Sequence, residues 1–237
     1  MNRLSNAGLV LRLGTLAFAL GAPPASAQGG TTVIAILPFE DRGSYGQDKE
    51  VYRALALGIP ATIVNELSGH AEIRIVNPSR VAQVLRSENL GPNAHIDAAT
   101  AARIAKQSGA RYAVTGNFAD FYGKFRLDAR MIDGESGEIV KVVSNSDPNL
   151  QDRADLYRII QRVGHKVLAE ANPRSARDES TEQENRAIPT EALTQYSLGL
   201  LYENRGEKNK ASEHYQRAIT AFPDYSEAKE RARRVRP

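Results

Sequence analysis

The 237 residues contain no cysteine and no tryptophan, and aromatic side chains make up only 6% of them. Without cysteine there is no disulfide, no thiol nucleophile and no cysteine-based zinc site. The fold must be held by burial alone, for which a chain of this length is ample. With no tryptophan and few other aromatics, a platform for stacking sugars is not expected. Charge of one sign is also missing. The net charge is +3, and removing Arg3 and Arg12 leaves 29 basic against 28 acidic groups. A nucleic-acid binder would show a larger and more concentrated excess. The basic cluster Arg231, Arg233, Arg234 and Arg236 reads as a solvated helix end. No apolar run reaches the ~20 residues that a membrane-spanning helix requires.

Catalytic signatures are missing too. There is no G-x-S-x-G nucleophile motif, and Gly43-Ser44-Tyr45-Gly46 before Lys49 lacks the spacing of a phosphate-binding loop. His70, His95, His165 and His214 stand apart, with no metal-binding interval between them. Glu40-Asp41 is a carboxylate pair, but neighbours at a strand end rarely converge on one substrate. No catalytic residue, metal ligand or cofactor is expected.

Residues 1–27 read as a secretory signal peptide. Arg3 and Arg12 are the only charges, Leu13 to Leu20 is apolar, and Ala25-Ser26-Ala27 forms a cleavage site before Gln28. The mature chain is expected in the periplasm. With no cysteine after the cleavage site, a lipoprotein-type anchor is excluded.

Residues 28–170 read as an α/β domain. Thr32 to Phe39 is a continuous apolar run and fits a strand buried on both faces, with Pro38 expected to end it. Val51, Leu55, Ile59, Ile63 and Leu67 recur every four residues as the core stripe of a helix, with a kink or restart expected at Gly58 and Pro60. Glu72 to Val76 alternates as a second strand. Asn77 and Pro78 start a short helix carrying Val81, Val84 and Leu85. Asp97 caps another helix that Gly109 closes. Strands follow at 110–118, 124–132 and 138–143, the last two joined as a hairpin. A long helix is expected from Leu150 to Ala169. Residues 171–188 have almost nothing to bury and read as a linker.

Taken in order, "VIAILPFE", Ile63-Val64-Asn65-Glu66-Leu67, "IRIVNPSRVAQVLRSENL", "DAATAARIAKQSGARYAVTGNF" and "RLDARMIDGESGEIV" resemble the CsgG-like family of envelope proteins. That resemblance implies a mixed sheet with flanking helices, a fold similar to the TolB N-terminal domain. It also implies a role in envelope assembly or secretion. Channel members of the family carry long amphipathic hairpins. Here the connections 119–123 and 133–137 are short, so a pore is not expected. The alternation of Phe125, Leu127, Ala129 and Met131 fits an ordinary sheet with one solvated face. Relatives of the fold also include regulators of cell-wall synthesis.

In residues 189–237, Gln195, Leu198, Gly199, Tyr202, Ala211, Tyr215, Ala218 and Pro223 follow the spacing of one tetratricopeptide repeat, with Gln195 where tryptophan is common. The resemblance implies a helical hairpin for docking proteins. Leu198 and Tyr202 pack toward the second helix, Gly199 admits it closely, and Arg205-Gly206 makes the turn. Residues 224–235 form a capping helix. One repeat cannot bury its own apolar face. It is therefore expected to stack on the α/β domain, on a partner, or on another subunit. Carried over by spacing, the partner groove would be lined by Leu193, Tyr196, Leu200 and Glu203.

The sequence thus points to a non-enzymatic periplasmic adaptor: an α/β domain that scaffolds or oligomerises, plus a helical hairpin that recruits another envelope protein. The alternatives are an export-channel component or a regulator of cell-wall synthesis.

Overall fold

The computed structural model describes residues 31–46, 48–91, 94–145, 150–173 and 186–236. The expected signal peptide and most of the expected linker lie outside these residues.

The centre is a mixed sheet in the order β2-β1-β3-β4-β5. Strand β1 (Thr32–Asp41) runs parallel to β2 (Ile73–Ile75) and to β3 (Tyr112–Phe121). β3, β4 (Lys124–Asp133) and β5 (Ile139–Ser144) pair antiparallel, and the short β6 (Gln151–Asp152) joins β4 beyond β5. The period of two along β1 sends alternate residues to two cores. Ile34 and Ile36 face α1 (Lys49–Leu67) and α4 (Leu156–Ala171), while Ala35 and Leu37 face α2 (Pro78–Ser87) and α3 (Ala98–Ser108). Phe125, Leu127, Ala129 and Met131 of β4 belong to the first core, which fits the ordinary sheet expected from their alternation.

Three local expectations need correction. Pro38 does not end β1. The register slips between Ile36 and Phe39, so β1 absorbs the missing N–H in a bulge and continues to Asp41. The Thr115 hydroxyl donates to the Pro38 carbonyl at 2.9 Å and secures the bulge from β3. Of the kink or restart expected at Gly58 and Pro60, the restart does not occur, and α1 is one helix from Lys49 to Leu67. The Thr62 hydroxyl donates to the Gly58 carbonyl at 2.9 Å within that stretch. The long helix does not begin at Leu150. Gln151 and Asp152 pair with Phe125 and Lys124, a 3-10 turn follows at Arg153–Asp155, and α4 starts at Leu156. The caps at Asn77 and Asp97, which accept from Ser79 and Thr100, and the left-handed Gly109 stand where the sequence puts them.

Of the three supports expected for the C-terminal hairpin, the structure shows the α/β part of the same chain. Helices α5 (Thr190–Asn204), α6 (Lys208–Ala221) and α7 (Ser226–Arg234) follow one another. α5 lies against α1, and the described residues from Thr31 onward form one compact unit. The approach is close. A Cβ on Gly58 would sit 1.9 Å from the Ser197 hydroxyl oxygen. Ala54 and Leu57 of α1 meet Leu198 and Leu201 of α5. Gly206, at φ +77°, turns α5 into α6, and Gly199 leaves room for the Tyr215 ring. Ala228, Ala232 and Val235 bring α7 into the core that also holds Ile34 and Leu127. Arg186 holds the entry to this region with two hydrogen bonds to Glu227, at 2.8 and 2.6 Å.

Candidate functional site

The end of the sheet where β1 and β3 finish carries an exposed aromatic group. Strands β3 and β4 are joined by Tyr122 and Gly123, at φ +53° and +85°. Two left-handed residues make the tight hairpin turn that matches strand twist, and Asn-Gly is the sequence that suits it. A bulky side chain in that region strains the backbone. Tyr122 is 85% exposed and stacks on Tyr45, itself 55% exposed, with ring centroids 5.8 Å apart and planes 19° from parallel. Phe121 meets Tyr45 at 5.7 Å.

The tip is braced from beneath. Asp120 is buried, accepts the Gly123 N–H at 2.7 Å and pairs with Arg153 at 2.9 Å. The Ser44 hydroxyl accepts the Asp120 N–H, and Tyr45 donates its own N–H to the Asp120 carbonyl. Tyr52 donates to the Tyr45 carbonyl at 2.9 Å. Burial raises the Tyr52 pKa, the Asp120 charge adds to the shift, and the hydroxyl stays a donor. These bonds fix both tyrosines while leaving their rings in solvent. In the sequence Tyr45 stands only within a glycine-bearing loop, and Tyr122 is given no role. The available signal was a tyrosine before glycine in a two-residue turn.

The residues expected to line a partner groove are placed differently. Leu193, Tyr196 and Leu200 are buried. The Tyr196 ring lies 5.9 Å from Tyr215 on α6 and 5.0 Å from Tyr225 at the start of α7. Glu203 accepts from the Tyr215 hydroxyl at 2.5 Å and from Arg231 at 3.1 Å. Within that stripe, Tyr196 and Glu203 are met by Tyr225 and Arg231 from the last helix and its N-terminal cap. Leu198, expected to face the second helix, instead meets α1. Tyr202 does face the second helix, stacking on His214 at 5.1 Å. Ala211, Tyr215 and Ala218 are buried between the helices, and Pro223 follows the end of α6.

Three histidines that look isolated in sequence gain neighbours in space. His95 meets Glu40 at 3.0 Å beside Arg42, His165 lies 4.0 Å from buried Glu66, and His214 donates to Gln195 at 2.8 Å. Burial pushes the Glu40 carboxyl up, but the bonds from His95 and Arg42 outweigh it and its pKa falls below the usual range. Asp41 accepts the Ser44 N–H. The two carboxylates are engaged separately, at the rim of a shallow hollow of about 200 Å³ shared with Tyr52, Arg53 and Ala56. Among the described residues, no three His, Asp or Glu side chains are grouped to hold a metal ion. No described helix is long and apolar enough to cross a membrane.

No family model matches this chain, and no curated protein does. Solved structures give distant likenesses. The C-terminal domain of LpoB from Salmonella enterica is 18% identical over 51% of this chain and 84% of its own, with a TM-score of 0.38. LpoB from Escherichia coli is 17% identical over 60% of this chain and 81% of its own, at 0.40. PelC from Paraburkholderia phytofirmans, solved as a dodecamer, is 16% identical over 60% of this chain and 88% of its own, at 0.34. At these values the chain is assigned to no family.

Proposed function

We propose that this protein is a non-enzymatic adaptor of the cell envelope, and that it holds a partner protein at the Tyr45–Tyr122 tip. One observation carries the reading. Tyr122 occupies a left-handed turn position at a conformational cost, and its ring is 85% exposed. Folding gains little from that ring. Strain kept without a folding benefit is a mark of function, and fixed, exposed tyrosines are the side chains that anchor protein interfaces. The envelope setting rests on the export signal read in residues 1–27. The C-terminal helices, which keep tetratricopeptide spacing, act in this reading as a brace for α1.

Tyr122→Asn tests the proposal, because asparagine suits the turn and removes the ring. Its melting temperature should hold or rise. Capture of partner protein from envelope extract should weaken by on the order of 1–3 kcal/mol relative to wild type. Capture that is unchanged, or lost only together with stability, would overturn the proposal.

A further inference from the structure

Apart from the tip tyrosines, the large apolar side chains exposed among the described residues are Ile139, Val140, Val142 and Leu150. Three of these four lie on β5, at 46%, 42% and 59% exposure. β5 is an edge. Among the described residues its only strand neighbour is β4. Edge strands are usually blunted by charge, proline or cover. β5 has no proline, and its one charge, Lys141, is drawn onto Glu170 of α4 at 3.1 Å.

The hydrogen-bonding sense of the edge can be read from its end. Asn145 donates its N–H to Leu127 at 3.0 Å, across the ladder to β4. Alternation then turns Val143 and Lys141 toward β4, and Val142 and Ser144 outward. The Ser144 carbonyl accepts from Lys166 of α4 at 3.0 Å, as an outward group would. Val142 therefore presents both its backbone polar groups and an exposed side chain at one point of the edge.

We propose that β5 pairs antiparallel with β5 of a second copy of this chain, about a two-fold axis at Val142. The pairing is self-complementary. Val142 exchanges both backbone bonds with its counterpart, and the two side chains meet. Lys141 falls opposite Val143 of the other copy, so like charges do not face each other. The flanking helices agree. On one copy Lys166 of α4 is tied beside Ser144 and Glu170 beside Lys141. The two-fold brings Lys166 of one copy toward Glu170 of the other. A shift that centred the axis on Lys141 would set lysine against lysine. The bulge at Val140, where the β4 register slips, ends the straight part of the pairing.

The chain's lack of cysteine makes the test clean. By sedimentation the purified chain should be a dimer, and Val142→Lys should be a folded monomer that still melts cooperatively. Val142→Cys should oxidise to a covalent dimer faster than Tyr122→Cys, whose side chain is more exposed but lies off the axis. A wild-type monomer at the highest soluble concentration overturns the proposal. So does a Val142→Lys dimer, or cross-linking no faster at 142 than at 122.

Discussion

Gly58 sits inside α1, where glycine ordinarily weakens a helix by roughly 1 kcal/mol relative to alanine. Here the missing side chain admits Ser197 of α5, whose Cβ would stand 2.7 Å from a Cβ at position 58. Gly58→Ala should therefore destabilise the protein by about 1–3 kcal/mol, through overpacking that outweighs the helix gain. Gly164 of α4 is the control. A Cβ there meets Glu66 at 3.6 Å, an ordinary contact. Gly164→Ala should stabilise by about 0.5–1 kcal/mol. Urea unfolding of both variants checks the pair, and equal signs would contradict the packing described. At this scale the sequence was readable wherever one residue type has one job. Asn77, Asp97 and Gly109 cap as expected, and Gly199 receives Tyr215. Gly58 was not readable, because its partner Ser197 is 139 positions away and a helical glycine looks like a kink until that partner is seen. Tyr122 was missed for a related reason. Exposure and backbone strain leave no pattern in hydrophobic periodicity.

Elements were legible where periodicity alone decides them, as in α1, the β4–β5 hairpin and the three C-terminal helices. Their partners were not. Leu193, Tyr196 and Leu200 show an apolar face, but spacing cannot say what covers it; Tyr215 and Tyr225 meet Tyr196 there. The α5–α6 pair also makes a pH prediction. Burial pulls the His214 pKa below its usual 6.5, and the nearby Arg217 charge pulls it further. A depressed histidine favours the neutral form in the folded state. Its contribution is complete above pH 6.5 and is lost as pH falls through the lower folded value. Glu227 on α7 acts in the same direction at lower pH. Its burial raises the carboxyl pKa, the Arg186 bonds outweigh that, and the net value lies below 4.5. Stability should thus fall on acidification, first from His214 and then from Glu227. His214→Gln should flatten the upper part of the profile, read as unfolding free energy between neutral pH and about pH 5. An unchanged slope in that variant would rule out His214 as its source.

The described residues from Thr31 onward behave, on this account, as one body. A single core joins Ile34 and Leu127 of the sheet to Leu193, Tyr215 and Ala232 of the C-terminal helices. Ala218 is buried in that core, so Ala218→Arg should lower one shared melting transition and leave no independently folded α/β part. Two separated transitions in the variant would show that the parts fold apart. In the proposed reading the partner meets the tyrosine tip, one of the surfaces this unit leaves exposed. Site-specific photo-cross-linking in cells tests this most directly. A benzophenone side chain would replace Tyr122 in one strain and Arg217, exposed on α6, in another. The account predicts a protein adduct from position 122 and none from position 217. An adduct from 217 with none from 122 would contradict it, and would return the partner to the helical hairpin.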